Sequence, residues 1–267
     1  SSEAAGMLAL EFDQASFAFG EGAAAAVDGV TLGLPIGGTL GIIGGTGSGK
    51  STMVSLVPRL YDTATGTVRV MGKDVRTWPL EQLRHVVGVV PQRASLVTGT
   101  VRSNLQWRDA TASDEGLWQA LEVAQAAEFV RKLPQGLDSP VEAGGKNFSG
   151  GQRQRLTIAR ALVGNPLILI MDDSASALYF KTDAALRRAV KRRSEEGRAS
   201  GGLPLTTVIV SQRVSTVRGA DMICVLSHGA VAGLGTHDEL FETCELYREI
   251  CLSQLKHDES ASVKGVC

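Results

Sequence analysis

The run Gly44-Gly45-Thr46-Gly47-Ser48-Gly49-Lys50-Ser51-Thr52 has the G-x4-G-K-S spacing of a phosphate-binding loop, the Walker A pattern. Glycines let consecutive backbone N–H groups close around phosphate oxygens at a helix N-terminus. Lys50 would neutralise the β and γ phosphates of a nucleotide, and the Ser51 hydroxyl would ligate Mg2+. The plainer reading is a glycine turn before a helix. About 120 residues further on, the apolar run from Leu167 ends in Asp172-Asp173. A buried strand of this Walker B kind delivers one carboxylate, Asp172, to a metal and holds it there. A second anion-binding helix start lies between them at Ser149-Gly150-Gly151-Gln152, where serine can cap and the glycines expose backbone N–H groups.

The elements around these residues suit the chemistry. Thr39–Ile43 reads as a short buried strand, and the apolar spacing of Met53, Val54, Leu56, Val57 and Leu60 predicts a helix after the loop. Leu8–Phe19 and Val30–Leu34 read as strands, as does Thr67–Met71, with a helix-to-strand passage over Leu83–Val90. Leu117, Ala120, Leu121, Ala124 and Ala127 give Ser113–Lys132 a helical period, and Leu156, Ala159, Leu162 and Val163 do the same after Ser149. A helix over Lys181–Arg193 leads to a polar connection at Ser194–Pro204 and a strand at Thr206–Val210. A hairpin over Met222–Leu226 and Ala230–Gly233 precedes a closing helix, His237–Leu255.

Composition narrows the classes. A chain of 267 residues, 43% hydrophobic and 21% charged, can bury a sizeable core, and a net charge of −1 argues against nucleic acid as a partner. Cys224, Cys244, Cys251 and Cys267 form no CxxC pair, so a zinc site or disulfide framework is not expected. The uncharged run Gly29–Gly49 holds nine glycines and Pro35, a poor membrane span. Ser1–Gly6 reads as a linker remnant, and Asn147-Phe148-Ser149 matches a glycosylation sequon with no secretory signal beside it.

Taken together, Phe148-Ser149-Gly150-Gly151-Gln152-Arg153-Gln154-Arg155 between the two Walker motifs resembles the signature of the ATP-binding cassette family, and the resemblance covers Leu8 to about Gln254. It implies an α/β fold: a P-loop NTPase (RecA-like) core, an antiparallel β subdomain under the adenine and an inserted α-helical subdomain over about residues 93–158. The ATPase domain would span 7–257, with a tail at 258–267. The resemblance also implies a head-to-tail dimer sandwiching two ATP molecules, in which Ser149, Gly150, Gly151 and Gln152 contact the γ-phosphate held by the partner's loop. Phe19 stands where the family stacks an aromatic on adenine, although a lone Phe in a strand would serve core packing equally well. Gln92, in Val89-Val90-Pro91-Gln92, matches the Q-loop glutamine that touches Mg2+ or the attacking water and senses the transmembrane domain. Thr98-Gly99-Thr100-Val101-Arg102-Ser103-Asn104-Leu105 and Asp221 resemble exporters, which implies a membrane domain as partner and a place on the cytoplasmic face of the cell membrane.

Four positions depart from the family. Asp173 stands for the catalytic Glu that polarises water, and its carboxylate falls ~1.5 Å short, enough to slow a reaction steeply. Gln212 stands for the switch histidine; it can hydrogen-bond but cannot carry a proton as His does. Tyr179 replaces the D-loop aspartate, and the X-loop glutamate aligns with Ala143 rather than Glu142. Altered catalytic positions beside intact binding motifs resemble the degenerate subunit of heterodimeric exporters, so the expected partner is a second, different nucleotide-binding subunit. A soluble ABC ATPase acting on DNA or ribosomes and a regulatory ATP-binding module without turnover are the competing readings.

Overall fold

Leu8–Phe17 forms β1, where the buried Leu10 and Phe12 are followed by Ala15 rather than by residue 14. Gln14 takes a φ of 47° and inserts a bulge that shifts the alternation. The computed structural model describes residues 7–174 and 180–264, without the side chains of 180, 181 and 256–264. The described residues cluster into two units, one of residues 7–77 with 208–264, the other within residues 78–207.

In the first unit β2 (Val27–Pro35) pairs antiparallel with β1, and β3 (Thr39–Ile43) runs into the glycine loop and α1 (Lys50–Ser55). β4 (Thr65–Val70) and β5 (Lys73–Asp74) complete an antiparallel sheet ordered β2-β1-β4-β5. Its inward Val30, Leu32, Leu34, Val68 and Val70 join Leu10 and Phe12 in the core. Alternation of the β-branched and leucine side chains is what lets this sheet bury one face. α1 is shorter than the period through Leu60 predicts. Pro58 disfavours helix at the residue before it, Arg59 takes a φ of 54°, and Leu60 is left exposed.

The second unit opens with α2 (Leu80–Val86), β6 (Val87–Val90), β7 (Gly99–Thr100) and α3 (Val101–Leu105). It continues through α4 (Asp114–Val123), α5 (Ala127–Arg131), β8 (Pro140–Val141), α6 (Gly150–Leu162), β9 (Ile168–Asp172) and α7 (Phe180–Ala199). β6 and β9 pair in parallel, Val87 opposite Ile168 and Val90 opposite Met171, which is why both read as unbroken apolar runs. α3 and α4 pack on α6, whose Leu156, Ile158 and Leu162 are almost wholly buried. Each such side chain stabilises the unit by about 1.5–3 kcal/mol. The Ser113–Lys132 stretch is two helices, separated where Gln125 adopts a φ of 58°. α7 runs six residues beyond Arg193, so the connection expected at Ser194–Pro204 is mostly helix: Ser194 Oγ donates to Leu205 O instead of breaking it.

β10 (Thr206–Val210) crosses the boundary between the units. The first unit then closes with α8 (Val214–Val217), β11 (Met222–Ser227), β12 (Ala230–Gly235), α9 (His237–Thr243) and α10 (Glu245–Lys264). β11 lies parallel to β3 and antiparallel to β12, making the predicted hairpin. The closing helix is two helices, because Cys244 turns to an extended backbone (φ −112°, ψ 105°) with its side chain buried.

Candidate nucleotide-binding site

The phosphate loop sits between β3 and α1 with its two ends clamped and its middle exposed. A Cβ on Gly44 would lie 2.2 Å from Leu226 O, and one on Gly49, whose φ is 98°, would lie 2.2 Å from Ala26 O. Only glycine fits at either position. On Gly45 or Gly47 a Cβ would meet nothing within 4 Å, and Gly45, Thr46, Gly47 and Ser51 face solvent. Ser48 N donates to Gly45 O and Ser48 O accepts from Gly229 N, which ties the loop to the turn between β11 and β12. Lys50 is buried, and its ammonium donates to Gly44 O at 2.9 Å, Gly45 O at 2.7 Å and Ser48 Oγ at 3.2 Å. The loop therefore holds one fixed positive charge under exposed backbone N–H groups, a fit for a polyphosphate. Ser51 and Thr52 follow in the first turn of α1.

In the same unit Phe19 is 64% exposed, and its ring meets Phe17 edge-on at 4.9 Å and Tyr61 edge-on at 5.4 Å. An exposed aromatic braced by two others is not buried in the core, and its free surface leaves room for a planar ligand to stack. Tyr61 was not singled out in the sequence, since one Tyr after a helix carries no pattern. Gln212, just beyond β10, is exposed, and Asp221 Oδ2 accepts from Thr39 N at 2.7 Å, fixing the start of β3.

The second unit carries the other motif residues. Asp172 ends β9, half-buried, and Asp173 follows with a φ of 44°. Gln92 Nε2 reaches Asp173 Oδ2 at 3.4 Å, so the Q-loop amide and the second Walker B carboxylate lie together. Ser149 caps α6: its Oγ accepts from Gln152 N at 3.3 Å, and Gln152 Oε1 accepts from Ser149 N at 2.9 Å. This capping box leaves Ser149 and Gly150 exposed at a helix start that repels no anion, with no acidic residue in its first turn. The exporter-like segment has its own logic. Thr100 caps α3, and the buried Asn104 satisfies Val97 N, Val97 O and Thr100 O. Asn147, the sequon residue, spends its amide on Glu142 N and Pro140 O. Tyr179 lies outside the described residues.

Ser51, Gln92 and Asp172 offer a hydroxyl, an amide oxygen and a carboxylate, hard donors of the kind Mg2+ takes. Among the described residues no group of three His, Cys, Asp or Glu could hold a metal ion. No described helix is long and apolar enough to cross a membrane.

The sequence model of the family described as ABC transporter matches residues 27–176. The chain is 43% identical over 233 residues to an uncharacterized ABC transporter ATP-binding protein of Mycobacterium tuberculosis, covering 86% of this chain and 38% of that protein. It is 39% identical over 243 residues to a multidrug efflux ATP-binding/permease protein of Mycobacterium bovis, covering 91% of this chain and 20% of the other. Among solved structures a bacterial Atm1-family ABC exporter with ATP bound superposes with a TM-score of 0.83 at 32% identity, covering 93% of this chain and 42% of that one. The chain thus spans about two-fifths or less of the length of these relatives. With the family matched over more than half its length, the chain belongs to the ABC transporters and is one of their ATP-binding domains.

Proposed function

We propose that this domain is the ATP-driven motor of an exporter, working at the cytoplasmic face of a membrane with a transmembrane domain. The observation that carries the reading is the phosphate loop, with Lys50 buried under exposed Gly45–Gly47. Phe19 stacks on adenine, Gly44–Thr52 hold the phosphates, and Ser51, Gln92 and Asp172 hold Mg2+. Mg2+ supplies charge neutralisation on the phosphate oxygens. Ser149, Gly150, Gly151 and Gln152 serve a second nucleotide held by the loop of another nucleotide-binding subunit in a head-to-tail dimer. The exporter assignment, rather than a soluble ATPase, is supported by the capped Thr98–Leu105 segment and by the named relatives.

The chain's own catalytic groups are weak. A water attacking the γ-phosphate needs a carboxylate within hydrogen-bond reach, and Asp173 is one methylene shorter than the glutamate of active relatives. Gln212 can donate to a phosphate oxygen but holds no transferable proton. The partner subunit is therefore a different chain with intact catalytic residues, completed by the Ser149–Gln152 signature offered here. The test is a Mg-ATP titration of the chain and of Lys50→Ala, with association followed by light scattering. The wild type should bind and associate with a second subunit only with nucleotide, and Lys50→Ala should bind about a hundredfold more weakly. Equal binding by both proteins would sink the assignment of the loop.

A further inference from the structure

One side chain outside every motif holds the segment that carries Gln212. Gln254 lies on α10, one turn past the buried Cys251, and is half-buried itself. Its Nε2 donates to Gln212 O at 2.7 Å and its Oε1 accepts from Val214 N at 2.8 Å. The two partners, a carbonyl and an N–H, fix which way the amide points. A primary amide that gives and takes one hydrogen bond across a single intervening residue reproduces the pairing of a neighbouring strand. Two further bonds complete the fixation: Ser211 Oγ accepts from Arg213 N at 3.0 Å, and Ser211 N donates to Ile42 O at 3.0 Å. Backbone positions 211 to 214 are thereby held while the Gln212 side chain faces solvent.

α10 is a firm base for such a clamp. Tyr247 is fully buried, its hydroxyl 2.8 Å from His237 Nδ1 at the start of α9, and Cys244 and Cys251 are buried on either side. The clamp is separated from Gln212 by 42 residues of chain, so α10 adds a hold from a distant part of the chain to the bonds that Ser211 makes locally.

We propose that Gln254 is a positioning residue for Gln212: it sets where the side chain at position 212 stands toward the terminal phosphate, and so couples the end of α10 to ATP turnover. This rests on the reading of Gln212 as the switch position. Both halves of the amide are needed. Gln254→Glu keeps an acceptor for Val214 N–H but loses the donor and sets a negative charge against the Gln212 carbonyl. Gln254→Met keeps the volume and loses both bonds.

The experiment is a double-mutant cycle on the purified chain in the Asp173→Glu background, with Gln212 or Gln212→His combined with Gln254, Gln254→Glu or Gln254→Met, read as kcat and KM for Mg-ATP. With Gln254 intact, Gln212→His should raise kcat about tenfold. In either Gln254 variant the gain should fall below about threefold, with KM within about twofold, since the coupling belongs to the pair. Amide exchange at Val214 should quicken in Gln254→Met, which removes the acceptor of that N–H, and not in Gln254→Glu, which keeps one. An equal gain in all three contexts, or unchanged exchange at Val214 in Gln254→Met, overturns the clamp and leaves the switch reading standing. A loss of kcat and KM alike that spares the histidine gain makes Gln254 merely structural and also overturns it. No gain from Gln212→His even with Gln254 intact overturns the switch reading, and the positioning role falls with it.

Discussion

Gly45 and Gly49 sit four residues apart in one loop and answer to different demands. Gly49→Ala places a methyl 2.2 Å from Ala26 O at a φ of 98°, so it should destabilise the fold by more than about 1 kcal/mol. Gly45→Ala enters open space and should stay within about 0.5 kcal/mol. Urea unfolding midpoints of the two variants check the contrast, and Gly45→Ala should still weaken nucleotide binding if that backbone approaches phosphate. Phe19 invites a similar separation. Exposed as it is, Phe19→Ala should leave the unfolding midpoint in place and weaken ATP binding about three- to tenfold, the worth of one aromatic stack; a titration with ATP reads it. Legibility at this scale follows from how a residue does its work. Lys50 and Asp172 announce themselves through spacing, because phosphate and metal geometry demand a fixed order of types. Tyr61 and Gln254 act through an aromatic contact and through bonds to backbone, neither of which leaves a pattern in the sequence.

Helix ends carry both signal and chemistry. Ser149 is legible as a cap because serine before two glycines and Gln152 is a capping box, and the structure forms it. Ser149→Ala should cost about 1 kcal/mol of stability in the chain alone, measurable by thermal unfolding, besides any effect on a partner's turnover. Arg102 on α3 ties Asp114 at the start of α4 to Asp138, bonding both carboxylates. Those bonds hold both carboxyl groups below the usual range. A lowered folded-state pKa stabilises above the unfolded value near 4 and is lost as pH falls through the folded values. The gap in urea midpoint between the wild type and Arg102→Met should therefore be larger at pH 7 than at pH 3; a gap independent of pH would deny the ion pairs any role. Element boundaries were less legible than element types. α1 ends early at Ser55, ahead of Pro58 and Arg59, α7 absorbs Ser194 through Ala199, and the break at Cys244 falls where no glycine or proline marks it. At α1 a local signal, Pro58, outweighed the apolar period, while at α7 a side-chain bond from Ser194 to Leu205 O and at Cys244 burial of the side chain accompany the observed boundaries.

Across the whole chain, two units divide the motifs between them: the phosphate loop, Phe19 and Gln212 in one, and Gln92, Asp172, Asp173 and the Ser149–Gln152 signature in the other. That division was not legible, since the motif order along the sequence says nothing of where contacts cluster. The family was legible, because three anion-binding or metal-binding motifs in fixed order leave few alternatives, and the family match bears it out. The proposed function is asymmetric: we propose a chain that binds ATP and completes a partner's site while hydrolysing little in its own. The direct measurement is Mg-ATP turnover by the purified chain and by Asp173→Glu with Gln212→His, beside a binding titration of each. The account predicts comparable ATP binding by both, negligible wild-type turnover, and a rise of at least about tenfold in the double variant. Robust wild-type turnover, abolished by Lys50→Ala and not raised by the pair, would contradict it and make Asp173 a sufficient catalytic carboxylate.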